Sequence, residues 1–378
     1  MPTSLLSPIA RPTSLCLVLL TLAVGQAADP VFRQVLRKAG DDGVKSYRIP
    51  GLATSKAGTL LAVFDIRHNG AQDLPADIDV GLLRSTDNGD TWGKQQTILD
   101  YDKTVAGSQG NGVGDPTILV DRETGAIFVA ALWSQGNRAW HGSGPGLKPS
   151  ETGQFVLTKS TDDGLTWSPP INITSQVKDP AWRLCFQGPG AGLQTKDGKL
   201  VFPAQFRDAA GTPHSCFIHS SDHGDTWKIS PAAIPDKPPT SEAQIAELDD
   251  GSLLLTMRDE SRSGQRLWAR WNWTTGAWSE SWRVVPDPTC MASLLRHPHG
   301  ELLFSNPNSA TKRIALTLRS STDQGKTWTD GKLLDPRGCM YSCLTTLSDG
   351  RIGILYEVDN GLTFARFPLD WVQTPATP

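Results

Sequence analysis

One eight-residue phrase occurs four times along the chain: "STDNGDTW" at Ser85, "STDDGLTW" at Ser160, "SSDHGDTW" at Ser220 and "STDQGKTW" at Ser321. Ser, Asp, Gly, Thr and Trp recur, while Asn88, Asp163, His223 and Gln324 share one variable slot and Asp90, Leu165, Asp225 and Lys326 another. Short Asp and Ser side chains bond nearby backbone N–H groups, Gly tolerates positive φ, and Trp packs over the turn. A calcium loop would not accept Leu165 or Lys326 as ligands. The phrase therefore reads as a structural turn of a repeated unit, with its variable slots in solvent.

A longer period encloses the turn. Six segments each place a Gly-containing turn between two apolar runs, the pattern of a β-hairpin: "LATSKAGTLLAVF" (Gly58), "TILVDRETGAIFVAA" (Gly125), "LQTKDGKLVFPA" (Gly198), "IAELDDGSLLLTM" (Gly251), "LLRHPHGELLFS" (Gly300) and "LTTLSDGRIGILY" (Gly350). Four are followed by a strand such as "VGLLR" or "IALTLR" and then by the Asp turn. The fourth hairpin is followed by "RLWARWNWTTGAWSESW", a degenerate copy around Gly276. One unit is a four-stranded meander of roughly fifty to seventy residues, and six units predict an all-β, six-bladed propeller of antiparallel blades. The last unit has a third strand, "GLTFARF", and little chain for a fourth. The stretch "VFRQVLRK" near Val31 has no partner of its own and is expected to complete that blade, closing the ring and removing its exposed edges.

Composition agrees with this reading. The 36 Gly and 27 Pro suit many turns, and 38% hydrophobic residues with 13 Trp are ample for a core. At the N-terminus Arg11, the apolar run "LCLVLLTLAV" and the small residues "GQAA" form a signal-peptide pattern, too short for a membrane span. The expected organisation is a signal peptide over 1–27, one propeller over 28–378, and export to the periplasm or beyond. Losing Cys16 leaves Cys185, Cys216, Cys290, Cys339 and Cys343, an odd set without CxxC spacing that reads mostly as small buried hydrophobes. The seven His are scattered and form no HExxH, so no metal is expected in the chemistry. A formal charge of −3 offers no nucleic-acid surface.

In such a meander the first and third turns share one face of the disc, so hairpin tips and Asp turns lie below. The upper face receives the residues before each inner strand and those between the second and third strands. There the chain places Arg48 in "SYRIPGL", Arg67 and Asp73 in "FDIRHNGAQDLPADIDV", Glu242 in "SEAQIAEL" and Arg258 in "MRDESR". Arg313 follows "NPNSATK", Tyr341 lies in "CMYSC" and Glu357 in "LYEVDN". A single Arg of this kind is ordinarily a surface ion pair or a snorkelling side chain. Several on one rim repel one another unless an anion or acids accompany them, so the rim is expected to bind an anion. Asp77 and Asp79 compete with Asp73, although Asp79 opens the "DVGLL" strand. Arg262 and Arg266 compete with Arg258, which directly ends its hairpin strand. Trp133, Trp140 and "WRLCFQGPGAG" reach the same face, either as aromatic ligand surface or as core.

With the Asp turns and the "RIP" at Arg48, this set resembles the exo-α-sialidases of the secreted bacterial type across essentially the whole chain after the signal. The resemblance implies that Arg48, Arg258 and Arg313 hold the sialic acid carboxylate and that Arg67 is a further substrate-side cation. It implies Tyr341 as nucleophile, Glu242 as its proton partner, Asp73 as acid/base and Glu357 as the brace of Arg48. It also implies retention of configuration, sialylated glycans as substrate and no cofactor. A Tyr suits this chemistry: the anomeric carbon bears a carboxylate that an attacking Asp or Glu would meet as like charge, whereas a phenol is neutral. A sialic-acid-binding propeller without turnover would keep the Arg clamp without needing both Tyr341 and Glu242. A protein-binding propeller would need none of the set, and trans- or intramolecular sialidases share the apparatus.

Overall fold

The computed structural model describes residues 1–3, 30–101 and 112–374. The signal-peptide expectation lies outside the described residues. Strands dominate; the α-helices among the described residues are the short Thr174–Val177 and Leu369–Gln373. None is long and apolar enough to cross a membrane.

The first blade pairs Ser46–Thr54, Leu60–Arg67, Ile78–Ser85 and Gln96–Leu99 in chain order, and the second pairs Val113–Val120, Ile127–Trp133, Gln154–Ser160 and Ile171–Asn172. In the third, the inner strand is split into Leu184–Gln187 and Leu193–Gln194, both antiparallel to Leu200–Arg207. Between the two pieces, Gly190–Ala191 runs parallel to the second blade's inner strand. The fourth blade is Thr240–Glu247, Leu253–Asp259 and Gln265–Asn272, edged by Ala277–Trp278 and Trp282–Pro286. The fifth begins Ser293–Arg296, Leu302–Pro307, Ile314–Ser321. Its outer strand, Lys332–Thr346, then continues as the inner strand of the sixth blade. Ile352–Val358 and Gly361–Phe367 follow, and Phe32–Arg37 completes the blade with Phe32 opposite Arg366. The ring closes between the two ends of the chain, as its repeats imply.

Because a blade is covered on both faces, its strands are apolar almost throughout, and an apolar cluster fills each gap between successive blades. Leu61 and Val63 meet Val113 and Ile127 between the first and second blades, while Phe64 and Leu60 meet Phe364 and Leu355 across the closure. Each such fully buried side chain contributes roughly 1.5–3 kcal/mol. The five cysteines among the described residues are free and buried within this packing.

The Asp turns hold to one wiring. Ser220 Oγ and the Thr226 amide donate to Asp222 Oδ1 at 2.6 and 2.9 Å, Thr226 Oγ1 donates to Oδ2 at 2.5 Å, and the Gly224 amide donates to Ser220 Oγ at 2.9 Å. The turn at Asp87 repeats it. The glycine is required twice over: Gly224 has φ 89°, and a Cβ there would lie 2.5 Å from the Phe128 ring of the preceding blade.

The first variable slot is not the solvated position its drift suggests. Asn88 Oδ1 accepts from Ser348 Oγ of the sixth hairpin at 2.8 Å, and Asp163 Oδ2 accepts from Thr59 Oγ1 of the first at 2.5 Å. His223 Nδ1 lies 2.9 Å from Asp121 Oδ2 of the second, and Gln324 Nε2 donates to Asp249 Oδ2 of the fourth at 2.7 Å. Each clasps the hairpin of the preceding blade, so the slot varies because its partner varies. The second slot is exposed at Leu165, Asp225 and Lys326, while Asp90 pairs with Arg366.

Candidate active site

Four inner strands break register at their upper ends: between Arg48 and Gly51, Gly114 and Thr117, Thr240 and Ala243, and Cys339 and Ser342. Two slips contain a proline, Pro50 and Pro116, which has no N–H to give the ladder. Ile49 and Asp115 adopt positive φ, 57° and 59°. A bulge releases a residue from the pleat and re-aims its side chain. Arg48, Asp115, Glu242 and Tyr341 lie at or within these four slips.

Tyr341 Oη donates to Glu242 Oε1 at 2.6 Å. The other Glu242 oxygen accepts from Arg258 Nη1 at 3.0 Å, and that nitrogen also lies 3.5 Å from the phenol oxygen. Glu260 stands 3.0 Å from Arg258 Nε. On the other flank the Arg48 guanidinium carbon is 5.5 Å from the centre of the Tyr341 ring, with Nη2 donating to Glu357 Oε2 at 3.3 Å. Glu357 is buried and also accepts the amides of Ile49 (2.6 Å) and Tyr341 (3.3 Å), so one carboxylate fixes Arg48 and the backbone of Tyr341 together.

Arg313 enters from the fifth blade, donating Nη2 to the Thr289 carbonyl at 3.0 Å. Met340 Sδ lies between it and Arg48, 4.0 Å from Arg313 Nη1 and 3.9 Å from Arg48 Nη2. Arg48 and Arg258 have carboxylate partners; Arg313 makes no ion pair with a carboxylate among the described residues. Asp73 stands on its loop with a side chain 74% exposed, its Oδ1 2.8 Å from Arg67 Nη1 and 3.4 Å from Arg48 Nη1. Arg67 is buried, with Nη2 and Nε donating to Asp65 Oδ2 at 2.9 and 3.1 Å. The eight residues singled out in the sequence thus form one connected group.

The competitors lie elsewhere. Asp77 accepts from Asn69 and Asp79 from His68, Arg262 is exposed in a turn, and Arg266 is buried against Thr256 and the Cys290 carbonyl. Trp133 is core, stacked on Tyr101 at 4.4 Å. Trp140 packs edge-on to Phe186, and with Leu74 these rings support the Asp73 loop.

Three acids of the site were not singled out from sequence: Asp65, Glu260 and Asp115. Burial first, then the negative charges of Asp65 and Asp73, push the Asp115 carboxyl well above the usual range, toward its neutral form. Asp115 precedes a hairpin in the position that Ile49 occupies in the first blade, directly before the proline and at the same positive φ; the shared proline of "RIP" and "GDP" was the available signal. Tyr341 is likewise raised well above an ordinary phenol, by burial and by the charge of Glu242, against the pull of Arg258 and Arg48. The resting phenol is neutral, and the carboxylate that would take its proton is already bonded to it.

Residues 58–354 match the family model described as a BNR repeat-like domain. A sialidase of Paraclostridium sordellii is 30% identical over 356 residues, covering 84% of this chain and 83% of that protein. The chain belongs to the BNR-repeat sialidases. Within this family it is 45% identical over 339 residues to a sialidase of Bacteroides fragilis, covering 85% of this chain and 62% of the length of that relative. The solved structure of the Hadza microbial sialidase Hz136 superposes with a TM-score of 0.85 at 43% identity, covering 90% of this chain and 69% of that one. The chain therefore spans about three-fifths of the Bacteroides fragilis sialidase and somewhat more of the solved one.

Proposed function

We propose that the chain is a retaining exo-α-sialidase that releases terminal α-linked sialic acids from glycoconjugates and is exported through its N-terminal signal peptide. Arg48, Arg258 and Arg313 hold the substrate carboxylate, which supplies Arg313 with an anion that no described carboxylate provides. Arg67 stands beside Asp73 on the substrate side. Tyr341 Oη attacks the anomeric carbon while Glu242 takes the phenolic proton, and Asp73 gives a proton to the departing glycosidic oxygen. Asp73 then removes a proton from water as the water attacks the same carbon, and Glu242 returns its proton to Tyr341. Two displacements retain the configuration.

The single observation that carries this reading is the 2.6 Å Tyr341–Glu242 hydrogen bond set against converging guanidinium groups. The test is hydrolysis of a fluorogenic α-sialoside, followed by NMR of the first-formed sugar. Free sialic acid released first as the α-anomer is expected; saturable binding without release would replace the enzyme with a sialic-acid-binding propeller.

A further inference from the structure

The lower face carries a cluster that the upper-face chemistry does not use. The fifth hairpin turns through "HPHGE", and one ligand atom each from His297, His299 and Glu301 lies within 4.8 Å of the others. His297 is 2% exposed and its Nε2 faces the Gly350 carbonyl of the sixth hairpin at 3.2 Å. A carbonyl only accepts, so Nε2 carries the proton, and Nδ1, which accepts from the His299 amide, keeps a lone pair. Nδ1 points toward Glu301 Oε2 at 4.0 Å, and its hydrogen-bond contact is a long 3.3 Å approach of the His299 amide. Glu301 Oε1 accepts from Gln373 of the C-terminal helix at 3.0 Å, whereas Oε2 is buried without a hydrogen-bond partner.

Two lone-pair carriers therefore face each other across a gap too long for a direct hydrogen bond, one of them a carboxylate oxygen stripped of water. A cation between them resolves both. Bonds of about 2.0–2.1 Å from one ion span about 3.3 Å between tetrahedral ligands, which a small rotation of Glu301 supplies. His299 is exposed beside them, its ring edge-on to His297 at 4.7 Å. We propose that His297 Nδ1, His299 and Glu301 form a binding site for a divalent transition ion of the zinc type. Two imidazoles with one carboxylate suit zinc, whereas calcium and magnesium prefer oxygen throughout. Gly350 and Gln373 act behind the ligands, orienting His297 and Glu301 as outer partners of metal ligands do. His297, Pro298 and His299 also border a cavity of ≈ 780 Å³ at the lower mouth of the ring, so solvent reaches the edge of the cluster. A bound ion would tie the fifth hairpin to the sixth and to the C-terminal helix, and so raise thermal stability by mass action.

The test uses the purified protein, stripped with a chelator and titrated with zinc sulfate. Bound metal is counted after dialysis and affinity is read by calorimetry. One zinc per chain is expected, with a Tm that rises with zinc. Binding should weaken at least tenfold in His299→Ala and in Glu301→Gln, each folded by circular dichroism. Calcium chloride at the same concentration should not bind there. Because His299 is exposed, its variant tests the site even if Glu301→Gln does not fold. No retained zinc, or zinc binding that His299→Ala leaves unchanged, overturns the proposal.

Discussion

Asp222 on the lower face and Asp115 on the upper face are the same residue under opposite physics. Asp222 is half-buried and accepts three hydrogen bonds, from Ser220 and from the amide and hydroxyl of Thr226, and its pKa is lowered to about 2. Asp115 is deprived of water, sits near Asp65 and Asp73, and is raised well above the usual range. The first arrangement satisfies charge locally, inside a turn that also clasps the neighbouring blade. The second, like the surroundings of Tyr341, holds an ionisable group toward its neutral form. The lower face holds the ring and the upper face carries the proposed chemistry, so substitutions on the two faces should separate stability from activity.

The upper face should lose activity with little loss of stability. Tyr341→Phe removes the attacking oxygen while Glu242 keeps Arg258, so kcat should fall on the order of 10⁴-fold whatever the leaving group. Asp73→Ala should cost roughly 10³-fold on natural sialosides, whose alkoxide leaves poorly without a proton, and much less on a phenol leaving group. Single-turnover phenol release is the quantity to compare, since Asp73 also serves the second step. Equal losses on both substrates would move the acid elsewhere in "AQDLPADID", with Asp77 tested next. Arg313→Ala, whose described side-chain contacts are a carbonyl and a thioether, should lower kcat/KM roughly 10²-fold with Tm nearly unchanged. Unchanged kcat/KM in a folded variant would remove it from the clamp.

The lower face should behave the other way. Asp222→Asn should lower Tm by a few degrees and leave kcat/KM alone. The pH dependence has a definite sign. Asp87, Asp162, Asp222 and Asp323 each fall to about 2 in the folded chain. Their unfolded pKa is about 3.9, so their contribution is complete above that value and is lost as pH falls toward 2. Changing all four to Asn should flatten the fall of stability below about pH 4. An unaltered acid-unfolding profile would mean that the turns hold the ring through Ser, Gly and Trp alone.

The repeats made the architecture readable because each turn states its own geometry within eight residues. The site was readable where the residue type is chemically unusual: Tyr341 and Glu242, 99 positions apart, meet because both precede a hairpin on the same face. The register slips were not readable, since Pro50 and Pro116 signal a break in a ladder without saying where the freed side chain points. Asp65 and Glu260 brace arginines from neighbouring positions, and nothing in their spacing distinguishes them from ordinary surface acids. The variable slot of the Asp turn misled for a related reason. Its partner belongs to the preceding blade, so comparing the four copies showed drift where each copy makes a different specific contact.

In the proposed reaction Tyr341 forms a covalent bond to the sugar. A sialic acid carrying fluorine at C3 and a fluoride leaving group slows both displacements by disfavouring the oxocarbenium-like transition state, and hydrolysis of the adduct then limits turnover. Intact mass after brief incubation should rise by one glycosyl unit per chain, peptide mapping should place it on Tyr341, and Tyr341→Phe should not acquire it. A wild-type enzyme that turns over sialosides yet carries no adduct, or carries it on Glu242 or Asp73, would rule out Tyr341 as the nucleophile.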